Sequence, residues 1–252
     1  MNVVRRTIVV SPLALSLSTT VLAAQDPKIE VSHIRTLAQG LAAGGITDLS
    51  EQSLTAALTN GDPAIRNLAA NKLAEDHHED AIPAIESALA REPNLNTQIG
   101  LSEALWSLHD GKGIEHLHAM CMDPSLNFMT MVSVVDALSL THSPAGMCAE
   151  TFSTAMARTK ETGEIAMGTT RLAVIYRDAS PERRSRIITT LRLLLADAKQ
   201  EPSVRMESSQ ALSDIGTPEC AEAIRAAIAQ EPNPDFRTFF EATLKGLEKR
   251  NH

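Results

Sequence analysis

The sequence predicts an all-α fold, an α-α superhelix built from about six helix-turn-helix repeats. Aromatic residues make up 3% of the 252-residue chain and hydrophobic residues 43%. Ala and Leu dominate the apolar residues, and this composition favours helices over β-sandwiches and barrels. A proline-containing motif also recurs along the chain, and apolar residues within its copies follow the 3.6-residue helical period.

The recurring motif is Pro, any residue, an apolar residue, and then Arg or Asn. Five copies begin at Pro63, Pro93, Pro124, Pro202 and Pro234. The gaps between them are 30, 31, 78 and 32 residues. The longest gap divides equally if a degenerate copy begins at Gly163, which keeps the apolar residue in register. This gives six copies.

Each copy is predicted to begin one helix, named helix B, and a further helix, helix A, lies between successive B helices. Asp62 supplies an N-cap oxygen for the first B helix, and Pro63 occupies its first turn. Gly216 is expected to cap the end of the fifth B helix. Further starts, each a capping residue before proline, are Asp123-Pro124, Ser143-Pro144, Ser180-Pro181 and Thr217-Pro218. Such helix pairs stack because neither pair buries its apolar face alone.

Two stretches, residues 62–66 and 202–219, resemble bacterial HEAT-like repeats, the kind also found in phycobilisome-lyase-type proteins. The resemblance covers about residues 48–249 and implies a HEAT-like solenoid. In the third and fourth copies Asn127 and Ala166 replace the usual Arg. The resemblance implies little about function, because HEAT repeats serve many roles.

The first 24 residues are predicted to be a signal peptide. Two arginines at positions 5 and 6 are followed by an apolar stretch at 7–22 and by Ala23 and Ala24, which suit cleavage after either one. The alternative is an amphipathic first helix. Residues 25–252 are predicted to form the repeat domain, with an N-terminal capping helix at about 28–43.

The formal net charge is −8, and loss of the signal peptide would leave 21 basic and 31 acidic residues, a charge of −10. An acidic protein repels nucleic acid and anionic lipid, so neither is the expected partner. The mature chain is predicted to lack a membrane span and to be periplasmic or secreted.

Motifs for phosphate-binding loops, nucleophile elbows and helical zinc sites are absent from the sequence. The sequence therefore predicts a non-catalytic scaffold that binds another protein and uses no cofactor or metal. The alternative is a HEAT-like enzyme or a chaperone-type lyase acting on a protein-bound cofactor. A third possibility is a buttress within a larger envelope assembly.

Four histidines offer an alternative metal site, because each follows a B helix. They are His77, His78, His109 and His142. The best candidates are His77, His78 and Glu79, although helices packed about 8–10 Å apart place successive repeats too far apart for one ion. The simpler interpretation is that they are polar turn residues.

The three cysteines, Cys121, Cys148 and Cys220, are expected to be unpaired and largely buried. Cys121 is predicted near the end of one A helix and Cys148 near the start of the next. Parallel A helices would separate these ends by most of a helix length, whereas a disulfide requires Cα atoms within about 7 Å.

Residues 158–192 carry eight basic and four acidic side chains. This segment indicates a docking patch for an acidic partner at Arg183, Arg184 and Arg186, or alternatively a solvated surface. A second set of candidates lies at polar positions of the first two B helices that are expected to be exposed. These positions are Asn67, Asn71, Thr97 and Gln98.

Overall fold

A computed structural model describes residues 36–250, and within them the chain forms helices, turns and no strands. The α-helices are α1 Leu37–Ala43, α2 Glu51–Ala57, α3 Pro63–Glu75, α4 Ile82–Leu89, α5 Leu95–Ser107, α6 Gly111–Cys121, α7 Phe128–Leu140, α8 Ala149–Arg158, α9 Thr162–Tyr176, α10 Pro181–Ala196, α11 Pro202–Ile215, α12 Pro218–Gln230 and α13 Pro234–Arg250. Short 3-10 turns precede α4 and α8 at Glu79–Ala81 and Gly146–Cys148. The predicted signal peptide lies outside the described residues.

The helices form two layers. The B helices α3, α5, α7, α9, α11 and α13 pack side by side in chain order. The A helices α6, α8, α10 and α12 each pack against the two B helices that flank them in the sequence, and α4 packs against α5. The predicted α-α superhelix of six B helices is confirmed, including the degenerate fourth copy, which is α9.

Most of the predicted caps are present. The Asp62 carboxylate accepts the Ala64 N–H at 2.9 Å, and Pro63 begins α3. The Ser180 and Thr217 hydroxyls accept backbone N–H groups at the starts of α10 and α12. Gly216 ends α11 with a φ of 77°, in the left-handed region that glycine tolerates without steric cost.

Two predicted helix starts are wrong. The Asp123 carboxylate accepts hydrogen bonds from the residue two positions ahead within a turn, and Asn127 instead caps α7. The segment after Ser143 forms a 3-10 turn before α8 begins at Ala149. Thr36 forms a capping box at the start of α1, which lies within the predicted capping helix, and residues 28–35 of that prediction lie outside the described residues.

The apolar core divides into two clusters that meet at α5. The smaller cluster extends from Leu41 on α1 to Leu108 and includes Leu101 of α5. The larger cluster includes Ile99 of α5 and continues to Leu247 on α13. Opposite sides of α5 therefore pack into different clusters, Ile99 into the larger and Leu101 into the smaller.

The expectation of three unpaired thiols is wrong. Cys121 and Cys148 form a disulfide with a Cα–Cα distance of 5.1 Å, and both are buried, while Cys220 is free and buried. The Thr151 hydroxyl, in the first turn of α8, donates to the Cys121 carbonyl at 2.5 Å. The start of α8 therefore lies at the end of α6, which removes the separation expected for two parallel A helices.

The motif arginine of the first B helix forms a buried ion pair with the glutamate that precedes the next one. Two Arg66 nitrogens donate to the Glu92 carboxylate, each at 2.6 Å, and the Glu92 side chain is 1% exposed. Glu92 also accepts the Asn94 N–H. Hydrogen bonds from Arg66 hold the pKa of Glu92 below its usual range, although burial opposes this. The pair thereby joins α3 to the start of α5.

The fifth B helix repeats this arrangement. Arg205 contacts Glu231 at 2.5 Å, and the Glu231 side chain is 2% exposed. Glu231 accepts the Asn233 N–H, and Arg205 lies 5.5 Å from the centre of the Phe240 ring. Burial raises the pKa of Glu231, but hydrogen bonds from Asn233 and Arg205 outweigh it and lower the pKa overall.

No helix in residues 36–250 is both long enough and apolar enough to cross a membrane.

Candidate functional site

Three of the four singled-out histidines occupy one structural position. His77, His109 and His142 follow α3, α5 and α7 with φ values of 58°, 65° and 53°. Each N–H, and that of the next residue, donates to carbonyls in the last turn of its helix, as in a Schellman motif. The position usually favours glycine, and a β-carbon there carries steric strain. All three imidazoles are exposed.

The described histidines do not assemble a metal site. His78 instead places Nδ1 3.2 Å from Glu51 Oε2. No group of three or more His, Cys, Asp or Glu side chains within residues 36–250 is arranged to hold a metal ion. The proposed trio of His77, His78 and Glu79 therefore does not converge. These residues terminate a B helix and begin the following turn.

A cleft separates the A helices α8 and α10. Its volume is about 970 Å³, and it is lined by hydroxyl-bearing residues together with Glu150, Glu182, Arg183 and Arg186. The hydroxyls of Ser153, Thr154, Thr189 and Thr190 donate to carbonyls of their own helices. Their oxygen lone pairs therefore remain as acceptors along the walls of the cleft.

The structure gives the three candidate arginines different environments. Arg184 donates to the Tyr176 and Arg177 carbonyls and lies 5.2 Å from the centre of the Tyr176 ring. Arg186 pairs with Glu182 one helical turn away at 2.5 Å. No hydrogen bond or ion pair engages the side chain of Arg183 among the described residues. Of the three arginines, Arg183 is therefore the one whose guanidinium can bind a ligand in the cleft.

The polar candidates on α3 and α5 are less exposed than expected. Thr97 is buried, and its hydroxyl donates to the Pro63 carbonyl at 3.3 Å, so the expectation of an exposed Thr97 is wrong. Half-buried Gln98 donates to the Glu92 carbonyl and contacts His116. Asn71 donates to Asn67, which is also half-buried. Thr97 and Gln98 thus join neighbouring turns and helices.

The side of the B layer that no A helix covers is named the open face. On α7 it consists of Met129, Ser133, Asp136 and Leu140, whose spacing of three or four residues places them on one stripe. Leu140 is 71% exposed. Apart from half-buried Ser139, the rest of α7 is buried, so this stripe is the main part of α7 that reaches solvent.

A methionine lies within the first two turns of each of three neighbouring B helices of the open face. Met129, Met167 and Met206 are 38 and 39 residues apart and lie on α7, α9 and α11. Met129 is exposed, and the other two are half-buried. Each directly follows a buried residue in the first two turns of its helix. The open face therefore carries a row of flexible apolar side chains.

Three carboxylates lie on α5, α7 and α11 of the open face. Asp136 of α7 accepts from Arg171 of α9 at 3.0 and 2.8 Å. Glu207 of α11 is half-buried, and its pKa is raised by burial although Arg171 opposes the change. Burial also raises the pKa of Glu103 on α5, whose side chain has no hydrogen bond or ion pair among the described residues. These four residues place three acidic groups and one basic group on the open face.

The sequence contained a usable signal for this surface. Met167 and Met206 are 39 residues apart, which is the interval inferred around Gly163, and each lies two residues after the apolar residue of its copy. Aligning the copies on their apolar residues places Met167 and Met206 at one position, whereas Met129 lies three residues after Leu126. The arginine-rich segment drew attention instead to the A layer.

Together, the two helical layers and their repeated pairs define the chain as an all-α repeat protein, a HEAT-like solenoid. Among solved structures, it is similar to human deoxyhypusine hydroxylase in complex with glycerol, with 17% sequence identity and a TM-score of 0.33. The alignment covers 79% of this chain and 84% of that chain. No protein-family model matches the chain, and no curated protein matches it.

Proposed function

We propose that the protein is an exported, non-catalytic scaffold of bacterial, phycobilisome-lyase-type HEAT repeats that binds another protein. The observation that carries the proposal is the open face, where α5, α7, α9 and α11 each leave one stripe accessible beside the next. Adjacent stripes on packed helices give a long, continuous contact area, which is how solenoids bind their partners.

The disulfide supports the exported location. Cys121 and Cys148 are paired and buried, and structural disulfides persist mainly in oxidising compartments such as the periplasm. The basic, apolar and small-residue pattern in residues 1–24 agrees with that location.

Ionisable groups with structural contacts support the non-catalytic role. The most buried carboxylates, Glu92 and Glu231, are each held by an arginine and a backbone N–H. Such groups anchor neighbouring helices and lie buried within the fold.

The cleft between α8 and α10 offers a second docking surface. Arg183 has a free guanidinium there, and the neighbouring hydroxyl oxygens accept hydrogen bonds. An acidic segment that also carries N–H donors would match this lining, with its carboxylate on Arg183 and its backbone N–H groups on the hydroxyls.

Site-specific photocrosslinking in the native host tests the scaffold. A photoreactive residue replaces Gln210, which lies one helical turn after Met206 on the open face of α11. Thr154 in the cleft is the second position, and exposed Glu222 on α12 is the control. We expect a crosslinked product of defined mass at Gln210 or Thr154 and none at Glu222. Absence of a product at both surfaces, in protein that is exported and oxidised, would overturn the proposal.

A further inference from the structure

We propose that the part of the open face formed by α5, α7, α9 and α11 binds a basic, amphipathic segment of the partner protein. This inference rests on the proposed scaffold function and adds the chemistry of the partner. The surface that carries it is named the methionine–acid surface, and it consists of Met129, Met167 and Met206 with Glu103, Asp136, Arg171 and Glu207.

The charge of this surface selects a cationic partner. Its one basic side chain, Arg171, is already engaged by Asp136 through two hydrogen bonds. Glu103 has no cationic neighbour of its own, and Glu207 shares Arg171 with Asp136. A lysine or arginine brought beside Glu103 or Glu207 would supply the counter-charge that each lacks. The net negative charge of the whole chain would also steer a cationic segment toward it.

The methionines select a partner with apolar side chains. Their thioether chains are unbranched and polarizable, so they adapt to apolar groups of different shapes. Leu140, 71% exposed, extends the apolar area along α7. A segment with apolar residues on one side and basic residues at its margins would therefore cover both parts of the surface.

A second copy of this chain fits the surface less well than a basic segment. A symmetric dimer through this face would place the same patch on both subunits. The three carboxylates of each patch would then outnumber its one arginine, and this excess of like charge opposes association. Self-association therefore becomes one of the outcomes that the experiment can detect.

The test uses the exported, oxidised full chain and a fluorescent 15-residue helical peptide of lysine and leucine, with a glutamate and leucine peptide of the same pattern as control. Binding is measured by fluorescence anisotropy at two salt concentrations. The site-directed variants are Glu103→Lys combined with Glu207→Lys, and Met129→Ser combined with Met167→Ser. Matched controls on the A layer are Glu222→Lys and Leu193→Ser, and both of these positions are exposed.

We expect the lysine peptide to bind and the glutamate peptide not to bind. Charge reversal at Glu103 and Glu207 should weaken binding at least about tenfold, because like charges would then meet. The methionine variant should weaken it about threefold or more, whereas the A-layer variants should change it less than about twofold. Hydrogen exchange should show protection by the peptide in α7, α9 and α11. Glu103→Gln combined with Glu207→Gln replaces the lysine variant if that variant fails to fold.

Equal losses in the open-face and A-layer variants would overturn the inference, as would equal binding of the two peptides. Concentration-dependent dimers that Met167→Ser abolishes would also overturn it, by assigning the face to self-association. If the peptide fails but crosslinking at Gln210 in the native host succeeds, the scaffold stands and the partner chemistry is wrong. If both fail, the scaffold proposal fails as well.

Discussion

Arg66 and Glu92 form a two-point ion pair across 26 residues, and Arg205 contacts Glu231 through one nitrogen at the same separation. In both cases the glutamate begins a Glu-Pro-Asn sequence, and the asparagine N–H donates to the glutamate carboxylate. The motif arginine thus forms a buried ion pair that joins one B helix to the start of the next. It is absent from α7 and α9, where Asn127 and Ala166 stand at the motif position.

Acid should weaken the Arg66–Glu92 ion pair. Because the folded pKa of Glu92 lies below its unfolded value, its stabilisation is complete above the unfolded pKa and is lost as the pH falls through the folded pKa. We expect the free energy of unfolding, from urea titrations, to decline between about pH 5 and pH 3. The decline should be smaller in Glu92→Gln, and Glu182→Gln on the surface should leave it unchanged. An equal decline in both variants would contradict the assignment.

Substitutions at Arg205 and Glu231 should have strongly coupled effects on the free energy of unfolding. Arg205→Met leaves Glu231 buried without its counter-charge and should cost about 3 kcal/mol or more of unfolding free energy. Arg205→Met combined with Glu231→Leu should recover much of that loss, because no charge then remains buried. Chemical denaturation of the single and double variants measures the coupling. Additive losses would show that the two side chains act independently.

Glycine should relieve strain at the left-handed histidine positions. His109→Gly places at φ 65° a residue that adopts this conformation freely, and should stabilise the protein by about 0.5–1 kcal/mol. Glu115→Gly, at an exposed position inside α6, should destabilise it by a similar amount. Thermal unfolding followed by circular dichroism compares the two. A loss of stability in His109→Gly would indicate that the imidazole itself makes a stabilising contact.

Reduction should destabilise the fold through one bond. Cys121 and Cys148 are 27 residues apart, and opening a loop of that size should cost about 3.5 kcal/mol on the chain-entropy account. A phosphine reductant should therefore lower the melting temperature of the wild type. Cys121→Ser combined with Cys148→Ser should melt low under both conditions, whereas Cys220→Ala should still respond to the reductant. An unchanged wild-type melting temperature after verified reduction would refute this.

Two glycines of α6 should differ in their tolerance of alanine. A β-carbon on Gly113 would lie 2.2 Å from the Ser102 carbonyl oxygen on α5, whereas one on Gly111 meets nothing within 4 Å. Gly113→Ala should force α5 and α6 apart and cost about 2 kcal/mol. Gly111→Ala should be neutral or slightly stabilising. Similar effects of the two substitutions on urea denaturation would mean that the helices separate at little cost.

Local chemistry predicted much of the fold. Asp62, Ser180 and Thr217 cap their helices because an oxygen acceptor before proline suits the first turn wherever it occurs. The same signal failed at Asp123 and Ser143, where the carboxylate or the following turn has other partners. The disulfide was missed because it depends on where α8 begins in space, which no local pattern encodes.

The candidate site was predictable only in part. Arg183 was identified from charge density, and the structure leaves it available in the cleft. Thr97 was misassigned because a polar residue between apolar positions can still be buried when it bonds to a neighbouring helix. The methionine–acid surface requires the register of one B helix against the next, and that register follows from packing across intervals that vary from copy to copy.

The division of the core into two clusters creates a weak boundary within the solenoid. Ile99 belongs to one apolar cluster and Leu101 to the other, so the blocks on either side of α5 share little beyond that helix. Repeat arrays open where the interface between neighbours is weakest. Leu101 and Leu105 join α5 to the smaller cluster, so we expect the segment from α1 to α5 to detach first under tension or heat, while the disulfide-containing block keeps its shape. The N-terminal helices would then unfold independently of a more rigid, disulfide-containing block.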